Sequence, residues 1–311
     1  MVFSLVCALL LEWIRPLSSM LIVTPFLSLH RMLAARLTWP GRDRRGAWCL
    51  TMLAVVVVCM AISALLWRIH PLFAVVFNIV VLYLSIDIGS GDRFFAEIQL
   101  ALRMGEIERA RMILGQWRGE DTAQCSGEEV ARLAIEQLLL CTHRGVLGAG
   151  FWFLLLPGPS GALLYRLACR LADEGDAGIN VKNGNDAAGS ASPVSAACFA
   201  RCAFEILDWL PSRLTGFAFA VMGDFENAVY CARTQAVLWP DKGAGQVIAS
   251  AGGALGIRLG LPVQLSGRQI DRPEMGMGQA ADVDGMQNTV RLMWRALLLC
   301  LLVLVLLSIA G

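Results

Sequence analysis

Charge is scarce in this sequence, and lysine is almost absent. Only 16% of the 311 residues are charged, 57% are hydrophobic, and the mean hydropathy is +0.61. Lys182 and Lys242 are the only lysines, and the net charge is +1. Because soluble globular domains carry about 25% charged residues, this composition excludes an ordinary soluble domain and indicates a membrane protein. The small net charge gives no basic field for a nucleic-acid partner.

Motifs for metal or nucleotide binding are also missing. No two cysteines follow a C-x-x-C spacing, and the three histidines show no ligand spacing to the cysteines. Cys198 and Cys202 are four apart and share a helix face, but a metal site needs at least two more ligands. The sequence contains no GxxxxGKS phosphate loop. It therefore predicts no metal site, and it assigns no catalytic residue.

Long apolar runs are what the sequence has most of, and a helix needs about 20 residues to cross the hydrocarbon core. Residues 49–67 are long enough, and 72–86 form a shorter run after the break RIHP. Residues 145–165 are free of charge, but PGPSG must break the helix, giving a kinked span or two re-entrant half-helices. With 1–14 as a short first segment and 296–311 as the last, the sequence predicts an all-α polytopic membrane protein with about four or five membrane segments.

Arginine placement predicts the orientation of the chain. Residues 31–48 contain five arginines, which the positive-inside rule assigns to the cytoplasm. Residues 87–144 place apolar side chains at three- and four-residue intervals among charges and are predicted to form amphipathic cytoplasmic helices. Residues 173–197 are rich in Gly, Asn, Asp, Ser and Ala and are predicted to form a flexible loop. We expect a single membrane domain over 1–311, multi-pass in a bacterial inner membrane, with the lipid bilayer as its partner.

Three polar features interrupt this pattern. Ser126 is placed to cap a helix. In that helix Arg132 and Glu136 share a face, and the plain interpretation is that they form a solvated ion pair. Residues 205–216, EILDWLPSRLTG, carry three ionisable groups in apolar surroundings. A charge at the bilayer centre costs about 2.5 to 3.5 kcal/mol, so we expect these groups at an interface or cavity wall, where Pro211 bends or ends the helix.

Six stretches in this order resemble the CobD/CbiB family of cobalamin-biosynthesis membrane proteins and the related AmpE signalling proteins. They are GEDTAQ (119–124), VARLAIE (130–136), LDWLPSRLTG (207–216), SAGGALGIRLGLP (250–262), IDRPEMG (270–276) and NTVRLMW (288–294). The resemblance implies a synthase that attaches an aminopropanol phosphate arm to adenosylcobyric acid and yields adenosylcobinamide phosphate. Under this interpretation a corrinoid is the substrate, and ATP and a divalent metal are the cofactors, although the sequence itself establishes neither.

The resemblance also implies a ligand-binding or polar core. Its candidate residues are Asp121, Thr122, Arg132, Glu136, Asp208, Arg213, Asp271 and Arg291. Arginine suits phosphate groups because the guanidinium binds them bidentately, and carboxylates serve as metal ligands or bases. Plainer roles stay open: Arg291 can be a positive-inside anchor, and Asp271 can shape a turn before Pro273.

The chain departs from the synthase pattern at several positions. Family synthases open with Gly-Asp-Pro and His-Pro-Val motifs, whereas this chain has EWIRPLSSM, and their acidic and amide-bearing cluster is replaced by QLLLCTHRG after Glu136. The alternative is an AmpE-like, non-catalytic membrane sensor linked to cell-wall recycling and β-lactamase induction. A transporter is a third hypothesis, since broken helices recur near transporter substrate sites. From the sequence, it stays open whether the chain is an enzyme.

Overall fold

The computed structural model describes residues 2–14, 20–37, 45–87, 89–156, 158–182 and 192–310. The chain divides into two compact units, Met1–Asp87 with Gly148–Asp208, and Ile88–Leu147 with Trp209–Gly311. The boundaries after Leu147 and Asp208 both fall inside continuous helical segments.

The first unit is built from helices. They are α1 (Val2–Ile14), α2 (Met20–Leu37), α3 (Arg45–Ile69), α4 (Pro71–Ser85), α8 (Gly148–Leu155), α9 (Ser160–Lys182) and the first part of α10 (Ser192–Met222). α3 packs against α2, α4 and α9, while α1 packs on α4 and α8 on α9. The predicted break at RIHP is present, because His70 is extended and its side chain accepts a hydrogen bond from the Leu72 amide at the start of α4. Proline at the first helical position needs no amide partner there.

The helix break at PGPSG is confirmed as well. α8 ends at Leu155 and α9 begins at Ser160, with Gly158 at φ +72° between them. Close packing requires glycine on both sides: a Cβ at Gly148 would lie 2.4 Å from the Tyr165 ring, and one at Gly161 would lie 2.0 Å from the Trp152 carbonyl oxygen. The break is therefore a tight turn in which the two helices contact each other directly.

The second unit combines helices with short strands. Its helices are α5 (Gly89–Arg103), α6 (Ile107–Arg118), α7 (Gly127–Thr142), α11 (Phe225–Thr234), α12 (Lys242–Leu255), α13 (Val283–Ala310) and the remainder of α10. Its strands are β1 (Ile257–Gly260), β2 (Val263–Leu265), β3 (Arg268–Ile270), β4 (Glu274–Gly276) and β5 (Gln279–Ala280). β1 lies between antiparallel β4 and parallel β5, and β2 pairs with β3 as an antiparallel hairpin.

The core of the second unit lies around α7 and α12. Ser126 and Glu129 form the expected capping box at the start of α7, which satisfies amides that the first turn leaves without partners. Every residue from Val130 to Glu136 is buried, and α7 passes through a π-helical turn (His143–Leu147) into α8. The apolar side chains of α7 therefore pack on protein all around the helix.

The small-residue stretch that begins at Gly245 packs closely and forms turns, as the sequence predicts. It also forms strands, which the sequence did not predict. Cβ atoms at Gly252 and Gly253 would lie within 3 Å of the neighbouring backbone, and Gly256 ends α12 at φ +66°. Gly276 of β4, at φ +79°, lies directly against Gly252. Without side chains, Gly252 and Gly276 let α12 and the β1–β4 pair approach at backbone distance, and Gly253 lets α12 approach the backbone of α11 in the same way.

Among the described residues, three helical segments are long and apolar enough to cross a membrane: Arg45–Ile69, Gly127–Leu155 and Val283–Ile309. The all-α polytopic fold is thereby confirmed. α10 corrects one expectation, because it continues through Pro211 and EILDWLPSRLTG lies inside the helix. Helix also occupies both ends of segment 173–197, whose residues 183–191 lie outside the described part. The cytoplasmic placement of 87–144 stays a prediction.

Candidate functional site

A buried carboxylate, Glu136 of α7, is the centre of a hydrogen-bond cluster in the second unit. Glu136 is 2% exposed. Arg272 donates from Nη1 to Glu136 Oε2 at 2.7 Å and from Nη2 to Oε1 at 3.4 Å, and the Gly260 amide donates to Oε1 at 2.8 Å. Arg272 also donates to the carbonyls of Gly260 at 2.9 Å and Leu261 at 3.3 Å. One charge-assisted pair therefore ties α7 to the strands that follow it much later in the chain.

Backbone strain accompanies this Glu136–Arg272 cluster. Gly260 has φ +69°, and a Cβ there would lie 2.0 Å from the Pro273 carbonyl oxygen. The next residue, Leu261, has φ +60° although it is not glycine. Its amide donates to the Pro273 carbonyl at 3.2 Å, and Arg272 binds its carbonyl. A left-handed residue with a Cβ persists only where its surroundings fix it, and here the cluster supplies that restraint.

Arg132 lies one turn before Glu136 and is also buried, at 4% exposure. Its Nη2 donates to the Pro262 carbonyl at 3.1 Å, while its Nε is buried and without a hydrogen-bond partner among the described residues. The neighbouring Glu129 accepts from the Ser126 amide at 2.6 Å. The solvated ion pair expected for Arg132 and Glu136 is therefore wrong, because both side chains are buried and the carboxylate pairs with Arg272.

The loop carrying Asp121 and Thr122 contacts the β2–β3 hairpin. The Asp121 carbonyl accepts from the Ser266 amide at 2.9 Å, and Cys125 Sγ donates to the Gln264 carbonyl at 3.2 Å. Thr122 is buried and donates to a carbonyl of α6 at 2.7 Å. Burial raises the pKa of the Cys125 thiol. Four stretches that carry the family resemblance, GEDTAQ, VARLAIE, RLGLP and IDRPEMG, thus come together in one unit.

A second polar group lies at the π-helical turn. His143 is fully buried and its Nδ1 is 2.9 Å from Thr215 Oγ1 of α10. Arg144 Nη2 donates to Asp241 Oδ2 at 2.6 Å, and Asp241 Oδ1 accepts two amides in the first turn of α12. π-helical turns inside α-helices are frequent at functional sites. The sequence CTHRG, which departs from the synthase pattern, therefore forms specific contacts in this fold.

The remaining predicted residues are dispersed. Asp208 belongs to the first unit, where it is 1% exposed and accepts from the Tyr165 hydroxyl at 2.6 Å. Arg213 is exposed, with its guanidinium 4.4 Å from the centre of the Trp209 ring. Asp271 and Arg291 are exposed at the surface of the second unit. Of the eight candidates, Arg132 and Glu136 lie in the cluster itself, and Asp121 and Thr122 lie in the loop beside the neighbouring hairpin.

Sequence reasoning missed three residues with a prominent structural role: Arg272, Gly260 and Asp241. The search for acidic groups selected Asp271, and its neighbour Arg272 binds Glu136 instead. The available signal was the need for a cation near a glutamate buried in an apolar helix. Among the described residues, no group of three or more His, Cys, Asp or Glu side chains could hold a metal ion. No reaction step is assigned to a divalent metal.

Comparison with known proteins shows which family the chain resembles along its length. A family model described as CobD/Cbib protein matches residues 5–293. The chain belongs to this family. A cobalamin biosynthesis protein CobD of Stutzerimonas stutzeri is 32% identical over 264 residues, covering 83% of this chain and 80% of that protein. A CobD protein of Chromobacterium violaceum is 32% identical over 76% of this chain and 73% of its own length.

A more distant relative is named CbiB, the other name used for this family. The cobalamin biosynthesis protein CbiB of Salmonella typhimurium is 27% identical over 83% of this chain and 79% of its own length. No solved structure matches the chain. The predicted resemblance to the CobD/CbiB family is confirmed, and these three relatives are all named for cobalamin biosynthesis. The AmpE-like sensor hypothesis stays a prediction.

Proposed function

We propose that this chain is a multi-pass protein of the bacterial inner membrane that attaches an aminopropanol phosphate arm to adenosylcobyric acid. The product would be adenosylcobinamide phosphate. The observation that carries the proposal is the family match over residues 5–293, with relatives named for cobalamin biosynthesis at 32% identity. The three apolar helical segments support the membrane location.

The chemistry of this reaction is amide formation. A carboxyl oxygen of the corrinoid must become a leaving group, which phosphoryl transfer supplies, and the amine of the arm then displaces the phosphate and loses a proton. The protein must hold two negatively charged partners side by side and keep water from the activated carboxyl. Guanidinium groups are suited to this task because they bind phosphate and carboxylate oxygens in pairs.

The second unit provides guanidinium groups in restrained positions. Arg272 is fixed by Glu136 and two carbonyls, and Arg144 is fixed by Asp241. Both side chains are partly exposed, at 13% and 21%. Restrained cations of this kind lose little conformational freedom when they bind a ligand. We assign them to substrate positioning, and no residue is assigned to proton transfer.

Corrinoid analysis of a deletion strain tests this function. The gene is deleted in a host with no second homologue, and corrinoids are extracted after feeding either cobyric acid or cobinamide. We expect adenosylcobyric acid to accumulate, cobinamide phosphate to be absent, and fed cobinamide to restore cobalamin synthesis. The full-length gene on a plasmid should restore the product.

The same experiment separates the synthase from a sensor. If cobinamide phosphate still forms from cobyric acid in the deletion strain, the proposed activity is refuted. If β-lactamase induction changes while corrinoid production is unaffected, the result supports the sensor hypothesis instead.

A further inference from the structure

Arg132 is a buried cation whose hydrogen bond in the second unit goes to a neutral group. Its Nη2 donates to the Pro262 carbonyl, and Nε has no partner among the described residues. Nε and Nη2 belong to the same edge of the guanidinium plane, the edge that binds two oxygens of a carboxylate or phosphate side by side. Nε therefore has no acceptor among the described residues, and Nη2 binds a neutral carbonyl that a charged oxygen could replace.

The nearby carboxylates are committed to other donors. Glu136 receives Arg272 and the Gly260 amide, and Glu129 receives the Ser126 amide at the helix start. Arg272 adds a second positive charge close to Arg132. A buried charge without a hydrogen-bonded counter-ion costs far more free energy than a paired one. The cost of burying Arg132 would fall if an anion joined the cluster.

The turn that supplies the acceptor for Arg132 contains a strained residue. Pro262 is exposed and follows Leu261, whose positive φ is unfavourable for a residue with a Cβ. The carbonyl that Arg132 Nη2 binds therefore belongs to a strained turn at 260–262, while the Nε of the same guanidinium has no partner among the described residues.

We infer that Arg132 and Arg272, with the 260–262 turn, form a binding site for a phosphate oxyanion. Two phosphate oxygens would accept from Arg132 Nε and Nη2 in place of the Pro262 carbonyl. A third oxygen would lie toward Arg272, which keeps its pairing with Glu136. The inference rests on the proposed function for the identity of the ligand. Under that function, the phosphate belongs either to the aminopropanol arm or to the phosphoryl donor. The oxyanion chemistry is the same in both cases.

Binding to the purified full-length protein in detergent tests the site. Inorganic phosphate, O-phospho-1-amino-2-propanol and ATP are titrated separately by calorimetry against wild type, Arg132→Lys and Arg258→Lys. Lysine keeps the charge but loses the two-donor edge, so we expect Arg132→Lys to weaken phosphate binding about tenfold or more. Arg258 is exposed on β1 of the same unit, and its substitution should leave the affinity unchanged.

The three ligands distinguish the source of the phosphate. Tighter binding of the amino alcohol phosphate that depends on Arg132 assigns the site to the arm, whereas tighter binding of ATP assigns it to the phosphoryl donor. Absence of phosphate binding to wild type, or equal weakening by both substitutions, overturns the inference. A thermal-unfolding curve for each variant verifies that it is folded before the titration.

Failure of the site and failure of the synthase function give different results. If phosphate binding depends on Arg132 but the deletion strain still makes cobinamide phosphate, the site stands and the reaction is wrong. If the deletion strain lacks the product but Arg132→Lys binds phosphate like wild type, the reaction stands and the site is wrong.

Discussion

Replacing Glu136 with glutamine should destabilise the second unit by an amount that the contacts define. The pair with Arg272 is buried, with side-chain exposures of 3% and 13%, and removing one partner of a buried ion pair costs about 3 to 5 kcal/mol. Two features place Glu136→Gln at the lower end. The glutamine oxygen can still accept the Gly260 amide, and Arg272 retains its two backbone carbonyls. We therefore expect a loss of about 3 kcal/mol in the free energy of unfolding.

Chemical unfolding of the detergent-solubilised protein measures this loss, and an exposed ion pair provides the control. Glu106 and Arg109 are 3.1 Å apart on the surface of the same unit, at 46% and 53% exposure, and such pairs contribute about 1 kcal/mol at most. Glu106→Gln should therefore unfold close to wild type. If Glu136→Gln and Glu106→Gln unfold together, the cluster does not stabilise the fold as argued. Measuring Arg272→Gln alone and combined with Glu136→Gln completes a double-mutant cycle that isolates the coupling between the two side chains.

Three further predictions concern backbone, thiol and core. Gly276→Ala would place a Cβ 2.2 Å from a β1 carbonyl and should prevent accumulation of folded protein. Gly267→Ala has open space around it and should cost about 1 kcal/mol in the free energy of unfolding. Expression and unfolding assays compare the two variants. Because burial raises the pKa of Cys125, the neutral thiol favours the folded state, and this contribution to stability should be lost as the pH rises above about 8.5. Cys125→Ala should therefore make the decline in stability at alkaline pH smaller than in wild type. Phe219→Ala should cost about 3 to 5 kcal/mol since Phe219 is fully buried, and Phe217→Ala, at 58% exposure, should have little effect on the unfolding midpoint.

The apolar runs and helix breaks in the sequence predicted the fold better than they predicted the Glu136–Arg272 cluster. The break before Pro71 and the turn at PGPSG follow from local chemistry, since proline and glycine restrict the backbone wherever they occur. Pro211 is the exception, because α10 continues through it. A proline can be accommodated inside a helix when neighbouring groups satisfy the freed carbonyl, and that depends on tertiary structure.

Pairing partners of buried charges could not be predicted from local sequence. Arg132 and Glu136 are one turn apart and suggested each other as partners. Glu136 instead binds Arg272, and Arg132 binds the Pro262 carbonyl. Both partners lie next to short strands that the helical pattern did not indicate, so the fold had to be known before the cluster could be assembled.

The separation of Glu136 and Arg272 along the chain has a consequence for biosynthesis. The hydrogen bonds between them join residues 136 positions apart. At about 5 to 20 residues per second, the ribosome needs about 7 to 27 seconds to make Arg272 after Glu136. Throughout that interval a helix rich in apolar residues carries a carboxylate whose partner does not yet exist. Truncated chains ending before Arg272 should therefore be early substrates for membrane quality-control proteases, and chains extending past it should persist.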